Sequence, residues 1–169
     1  MNRTTAGGVL AFVMVIGLLA AQAFAAGGSK PLTLTQAIAQ TGLFSGLTEA
    51  ERAALEGAAV LRHGEAGERI IEQGTSSDRM FVVLEGESEV RVQGELVATL
   101  PAQALVGEIE FLDGRPASAD VTLLEASYVI ELNHRKLERL MDQRPRMGYV
   151  LMSEIARIEA RRLRAMDEK

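Results

Sequence analysis

Cysteine and tryptophan are absent from the 169 residues. Without thiols the chain can form no disulfide, no thiolate metal site and no acylated lipoprotein cysteine. Aromatic residues make up 4% against 47% hydrophobic residues overall, so aliphatic packing must carry the core. A chain of this size and apolar content buries one such core, and one domain is expected. A basic surplus is also missing. The net charge is −5, and the first 25 residues hold a single charged residue, Arg3. Nucleic-acid binding needs a positive field that this chain does not supply. No Gly-x-Ser-x-Gly elbow, Walker A loop or His-Glu-x-x-His helix occurs, so no hydrolase or nucleotide-cleaving motif is present. The two histidines, His63 and His134, are isolated in sequence and read as surface residues beside a turn or a cap. The expectation is a protein that is not an enzyme.

Residues 1–25 read as a secretory signal: Arg3 as the positive region, an apolar run over 9–21, and Ala23-Phe24-Ala25 as an Ala-x-Ala cleavage site. An uncleaved signal anchor is the alternative, because residues 4–29 carry no charge and a span needs roughly 20 apolar residues. Either way the folded part lies outside the cytoplasm, periplasmic or secreted when cleaved and membrane-anchored when not. Residues 26–43 are expected to be a linker followed by a short helix over 33–40, and residues 44–169 the folded domain.

Within that domain, Thr48-Glu49-Ala50-Glu51 has the spacing of a capping box opening a helix to about Ala58, with Leu55 inward. From 59 to 132 the pattern is β. Short apolar pieces (Val60/Leu61, Ile70/Ile71, 80–84, Val90/Val92, 96–100, 119–124 and 128–132) are divided by glycines, with Gln93-Gly94 as a hairpin turn. Many short strands at this spacing predict a sandwich or roll. Asn133 caps a helix over 134–143 with Leu137, Leu140 and Met141 inward. Pro145 breaks it, and a final helix spans about 147–166 with Val150, Leu151, Ile155, Ile158 and Leu163 on an imperfect apolar stripe. Arg157, Arg161 and Arg164 lie at helical spacing, and Arg161-Arg162 doubles the charge. These cations read as a solvated face near a helix C-terminus or, alternatively, as facing a phosphate.

The stretch 107–119 punctuates the strands. Gly107 opens a short apolar turn with Ile109, Phe111 and Leu112; Asp113-Gly114 makes a sharp turn; and Pro116 leads back into an extended run. A glycine here lets the backbone approach a ligand, and the first-turn N–H groups point outward. Glu108 can accept from hydroxyls and Ser118 can donate. The chemistry suits an anion that also carries hydroxyls. Glu108 reads equally as a carboxylate capping its own short helix.

Gly107-Glu108-Ile109 through Ala119 resembles the phosphate-binding cassette of cyclic-nucleotide-binding domains, the sensor module of the catabolite activator protein and of cyclic-nucleotide-gated channels. A second match, Gly67-Glu68-Arg69-Ile70-Ile71-Glu72-Gln73-Gly74, then Ser77-Asp78-Arg79-Met80-Phe81-Val82-Val83-Leu84 and Gly86, resembles the first β-roll signature of that family. The resemblance covers about 44–144. It implies a mainly β fold with flanking helices, a double-stranded β-helix or jelly-roll-like β-roll. It also implies a ligand, cAMP or cGMP, without a permanent cofactor. The ligand-binding set would be Gly107, Glu108, Ile109, Arg115, Ser118 and Ala119, with Glu108 accepting from the ribose 2′-hydroxyl. The family's final helix lids the ligand or pairs two copies; here it serves one of those roles or simply packs on the roll. Transcription factors of the family carry a winged helix-turn-helix after that helix. The chain ends at Lys169, so no direct transcriptional role and no nucleic-acid partner are expected.

The cassette departs from the family pattern where the phosphate would be held. Aligned without gaps, the arginine position is Ala117, which removes a charge-assisted and potentially bidentate contact. Glu110 replaces a small residue and adds negative charge, and Val106 replaces the aromatic before the glycine. Arg115 comes two residues early; it reaches the phosphate if the turn folds inward and is otherwise a solvated turn residue. The reading is a small-ligand sensor with a degenerate cassette and weak cyclic-nucleotide binding. Its alternative is an extracytoplasmic scaffold, with an unidentified protein partner and no nucleotide.

Overall fold

The computed structural model describes residues 31–167. The signal or anchor expected over 1–25 lies outside these residues. Among the described residues no helix is long and apolar enough to cross a membrane.

The compact unit begins at Leu32, earlier than the boundary at 44 expected from sequence. Helix α1 (Leu34–Gln40) is the reason. Thr33 and Gln36 form a reciprocal capping box at its start, and its Ala37 and Ile38 are buried in the main core, so the short helix expected here is part of the compact unit. Helix α2 (Glu49–Leu55) opens with the anticipated Thr48–Glu51 capping box, and its Leu55 is fully buried. Glu51 also accepts a hydrogen bond from Arg146, 95 positions away. These hydrogen bonds, with those to Thr48 foremost, hold its carboxyl below the usual carboxylate range.

Eight strands follow: β1 (Ala59–Gly64), β2 (Arg69–Ile71), β3 (Arg79–Val83), β4 (Ser88–Val92), β5 (Glu95–Leu100), β6 (Ala104–Val106), β7 (Asp120–Leu123) and β8 (Ser127–Asn133). They form two four-stranded sheets, ordered β1-β8-β3-β6 and β2-β7-β4-β5, in which every pairing is antiparallel. This is the expected jelly-roll. The β4–β5 hairpin turns at Gln93 (φ 52°) and Gly94 (φ 84°), the two positive dihedrals that a two-residue turn of matching twist requires. Strand β6, three residues long and held by pairing with β3, had no counterpart in the sequence reading.

The first sheet is buried on both faces, which is why β3 reads as an unbroken apolar run. Its Met80 and Val82, with Leu105, Ile130 and Leu132, face the helices; its Phe81 and Val83, with Val106 and Val129, face the roll interior beside Ile71, Val121 and Leu123. A one-residue slip would exchange the two sets.

Helix α3 (Glu108–Asp113) lies between β6 and β7. Helix α4 (His134–Gln143) is capped by Asn133, whose side chain accepts from the Lys136 N–H. Helix α5 (Pro145–Asp167) starts at the proline expected to precede it, a position where the missing N–H costs nothing. On α5, Met147, Leu151 and Ile155 are buried in the main core, and Val150 and Ile158 pack against it. Leu163 is 63% exposed, so the stripe runs out before the helix does. His134, expected on the surface, is instead buried and packs against Phe111 at 5.1 Å between ring centroids. Its burial holds the imidazole pKa below its ordinary value, against the opposing pull of Glu110 and Asp78.

Candidate ligand site

Strand β6 delivers the chain to Gly107 at the edge of the helix-backed sheet, where Val106 pairs with Phe81. Gly107 takes φ +84°, and a Cβ there would sit 2.8 Å from the Arg79 carbonyl oxygen and 3.0 Å from the Met80 Cα. Only glycine satisfies both the left-handed dihedral and the contact with β3 backbone. That contact sets the start of α3. The helix ends at Gly114 (φ +68°), whose N–H donates to the Glu110 carbonyl at 2.9 Å, so the Asp-Gly turn is a left-handed helix stop.

Both glutamates of α3 are buried and border one cavity. Glu110 is buried, and its Oε1 accepts from the N–H groups of Ser77 (3.0 Å) and Asp78 (3.2 Å). The extra negative charge noted in the sequence therefore ties down the β2–β3 connection. Glu108 is 3% exposed and lines a cavity of about 250 Å³. Ile71, Val90, Leu100 and Val121 form its aliphatic wall; Gly107, Ile109, Ala117, Ser118 and Ala119 form the cassette side; and Glu159, Arg162, Leu163 and Met166 of α5 lie across it. The volume falls just under the roughly 300–1,000 Å³ usual for small-molecule sites, as fits a pocket with a helix across it.

Arg162 closes the cavity. Its Nη1 donates to Glu108 Oε1 at 2.5 Å and to Glu159 Oε1 at 2.8 Å, and its Nη2 donates to the Leu105 carbonyl at 2.5 Å. One guanidinium thus serves two carboxylates. Burial, opposed by Arg162 and reinforced by Glu159, pushes the Glu108 carboxyl up to about 7. Glu108 Oε2 is buried and has no hydrogen-bond partner among the described residues.

Five of the six residues singled out from sequence (Gly107, Glu108, Ile109, Ser118 and Ala119) line this one cavity. Arg115 does not: it is exposed in the turn after α3, where its N–H donates to Asp113 Oδ1 at 2.9 Å. Ala117 is buried in the cavity wall, and its backbone is held by hydrogen bonds to Gly74 and Thr75. Sequence reasoning missed Arg162 as a residue of the site. The doublet Arg161-Arg162 was visible, but the three arginines first read as the face of α5 were its neighbours. A heptad count from Ile155 places residue 162 on the same side of the helix as the buried stripe, which is the signal that was available.

An antiparallel β-roll thus carries a short helix buried against it and a C-terminal helix over the cavity. Residues 61–144 match the family model of the cyclic nucleotide-binding domain, and the chain belongs to that family. It is 31% identical to Glutaminase 1 of Bradyrhizobium diazoefficiens over 81% of this chain and 22% of that protein. It is 33% identical to the cAMP-dependent protein kinase regulatory subunit of Mycosarcoma maydis over 59% of this chain and 21% of that one. The chain therefore spans about a fifth of the length of these curated relatives. Among solved structures it is similar to the regulatory subunit of a cAMP-independent protein kinase A from Trypanosoma brucei, as a triple mutant bound to cAMP in the A site. That match has a TM-score of 0.63 and 26% identity, and covers 75% of this chain and 46% of that chain.

Proposed function

We propose that the protein is an exported, non-enzymatic small-ligand sensor whose degenerate cassette binds a cyclic nucleotide weakly. The observation that carries this reading is Glu108 Oε2, a buried acceptor without a partner among the described residues, on the wall of the cavity. Such an orphaned atom is costly in a folded protein unless a ligand hydroxyl completes it. The aliphatic wall would take the flat face of a base. Ala117 supplies no countercharge to a phosphate, which limits affinity.

The trypanosome relative supports this account. Its kinase is described as cAMP-independent, its cAMP-bound form is a triple mutant, and one of the three changes introduces an arginine. The glutaminase likeness covers a fifth of that enzyme and does not itself assign a reaction. A second reading is a scaffold that binds protein and no nucleotide, with the partner unidentified. The Arg162–Glu108 pair favours it, because the hydroxyl acceptor is already half engaged.

Titration calorimetry of the full chain with cAMP and cGMP separates the two. The sensor reading expects weak heats in the native protein and a gain of about 10- to 100-fold in affinity on Ala117→Arg, the worth of one charge-assisted contact. No binding by either protein at millimolar nucleotide overturns it in favour of the scaffold. Mass spectrometry of the secreted or periplasmic product tests export: a mature N-terminus at Ala26 is expected, and a cytosolic product starting at Met1 refutes it.

A further inference from the structure

We propose that Asp78, Glu110 and His134 form a binding site for one first-row divalent cation, of the kind that takes imidazole and carboxylate together, such as Zn²⁺ or Mn²⁺. Glu110 also borders the ligand cavity, whereas Asp78 and His134 do not line it.

One donor atom from each of the three residues lies within 4.8 Å of the others. Glu110 and His134 are 7% and 5% exposed. Two of their polar atoms, Glu110 Oε2 and His134 Nε2, are buried and make no hydrogen bond among the described residues. An orphaned atom of ligand type on each of two residues of one cluster is hard to explain by packing, since each desolvated polar atom costs stability until it is satisfied. A cation satisfies both at once.

The surroundings resemble a support for such an ion. Glu110 is oriented by the N–H groups of Ser77 and Asp78 on its other oxygen, an arrangement typical of outer-shell control of a ligand. The loop is fixed to α4 by the hydrogen bond from His134 N–H to the Asp78 carbonyl, 2.9 Å. Bonds of about 2.0–2.2 Å to each ligand require the three donors to draw together by on the order of 1 Å. Asp78 can provide that movement: its side chain is 45% exposed and is held by an outward contact with Arg135 at 2.9 Å. Three protein ligands leave room for a water. Imidazole with two carboxylates suits Zn²⁺ or Mn²⁺ over Mg²⁺ or Ca²⁺, which prefer an all-oxygen shell. The bound ion would join the β2–β3 loop, α3 and α4, and so stiffen the helix that presents Glu108 to the cavity.

The test uses the full chain stripped with a chelator and titrated with ZnCl₂ and MnCl₂, read by calorimetry and by thermal shift. Binding at one equivalent with a rise in Tm is expected for at least one of the two metals. Asp78→Asn is the variant least able to disturb folding, because its side chain is half exposed and asparagine tolerates the positive φ of 55° at this position. It should weaken binding by about tenfold or more. His134→Gln should abolish it, while His63→Ala, at the exposed His63–Glu65 contact, should leave it unchanged. Arg135→Ala releases Asp78 and should tighten binding. Absence of binding to either metal, or binding that survives Asp78→Asn and His134→Gln, overturns the proposal. None of these outcomes depends on whether a nucleotide enters the cavity.

Discussion

Replacing Arg162 with methionine removes the guanidinium that spans Glu108, Glu159 and the Leu105 carbonyl and keeps an unbranched stem to fill the same space. The consequence should depend on pH. Glu108 titrates near 7 in the folded protein against 4.5 for an ordinary glutamate. Between those values the folded state holds a proton that the unfolded state has released. Stability from this group is therefore fully present below about 4.5 and is lost as pH rises through 7. Arg162 favours the charged carboxylate, so its loss moves the folded pKa higher and extends the decline above pH 7. At about pH 6 both proteins hold Glu108 largely neutral, and the variant loses only hydrogen bonds, about 1–2 kcal/mol. At about pH 8.5 it must also either keep that proton, which the unfolded chain has lost, or carry an unbalanced buried charge. The ceiling is about 1.4 kcal/mol for each pH unit beyond 7. Because the Arg162 side chain is 29% exposed, solvent relieves part of this, leaving an extra cost of about 1–2 kcal/mol. For a domain of this size that is a further drop of roughly 3–7 °C in Tm. Circular dichroism melts of both proteins across this pH range measure it. Adding Glu108→Gln to the variant should flatten the profile, since the titrating group is gone. An equal Tm gap between the two proteins at both pH values would show that Glu108 does not titrate against Arg162, and the account of the closed cavity would fail.

Two further substitutions test the backbone argument. Gly107→Ala should destabilise by about 2–4 kcal/mol, combining a left-handed dihedral with a clash against β3 backbone, whereas Gly114→Ala, equally left-handed but with open space around it, should cost about 1 kcal/mol. Urea melts compare them, and equal costs would mean that the close approach at Gly107 has been overstated. Thr48→Ala removes one half of the α2 capping box and should cost about 1 kcal/mol; a neutral result in the same melts would mean that Arg146 alone holds this corner.

Much of the fold was legible along the chain because its signals are local. The Thr48–Glu51 box, the Gln93-Gly94 turn, the Asn133 cap and the glycine before Glu108 each state a backbone requirement within four residues. The glycine-divided apolar pieces match all the strands except β6, which is held by pairing with β3 and not by any period of its own. Five of the six residues singled out line one cavity because the cassette is contiguous. The sixth, Arg115, depended on which way a turn folds, and the structure turns it to solvent.

The amino-acid sequence alone determined the local elements, because caps, turns and strand alternation act between neighbours, and its two motifs carried the resemblance that placed the cassette and marked the alanine at 117. Only the tertiary structure decided that Arg162 reaches Glu108 across 54 positions, that Glu110 serves the β2–β3 loop, and that His134 lies buried beside it. Those outcomes depend on burial and on partners brought together by the packing of α4 and α5, and desolvation has no value until the chain is folded around the group.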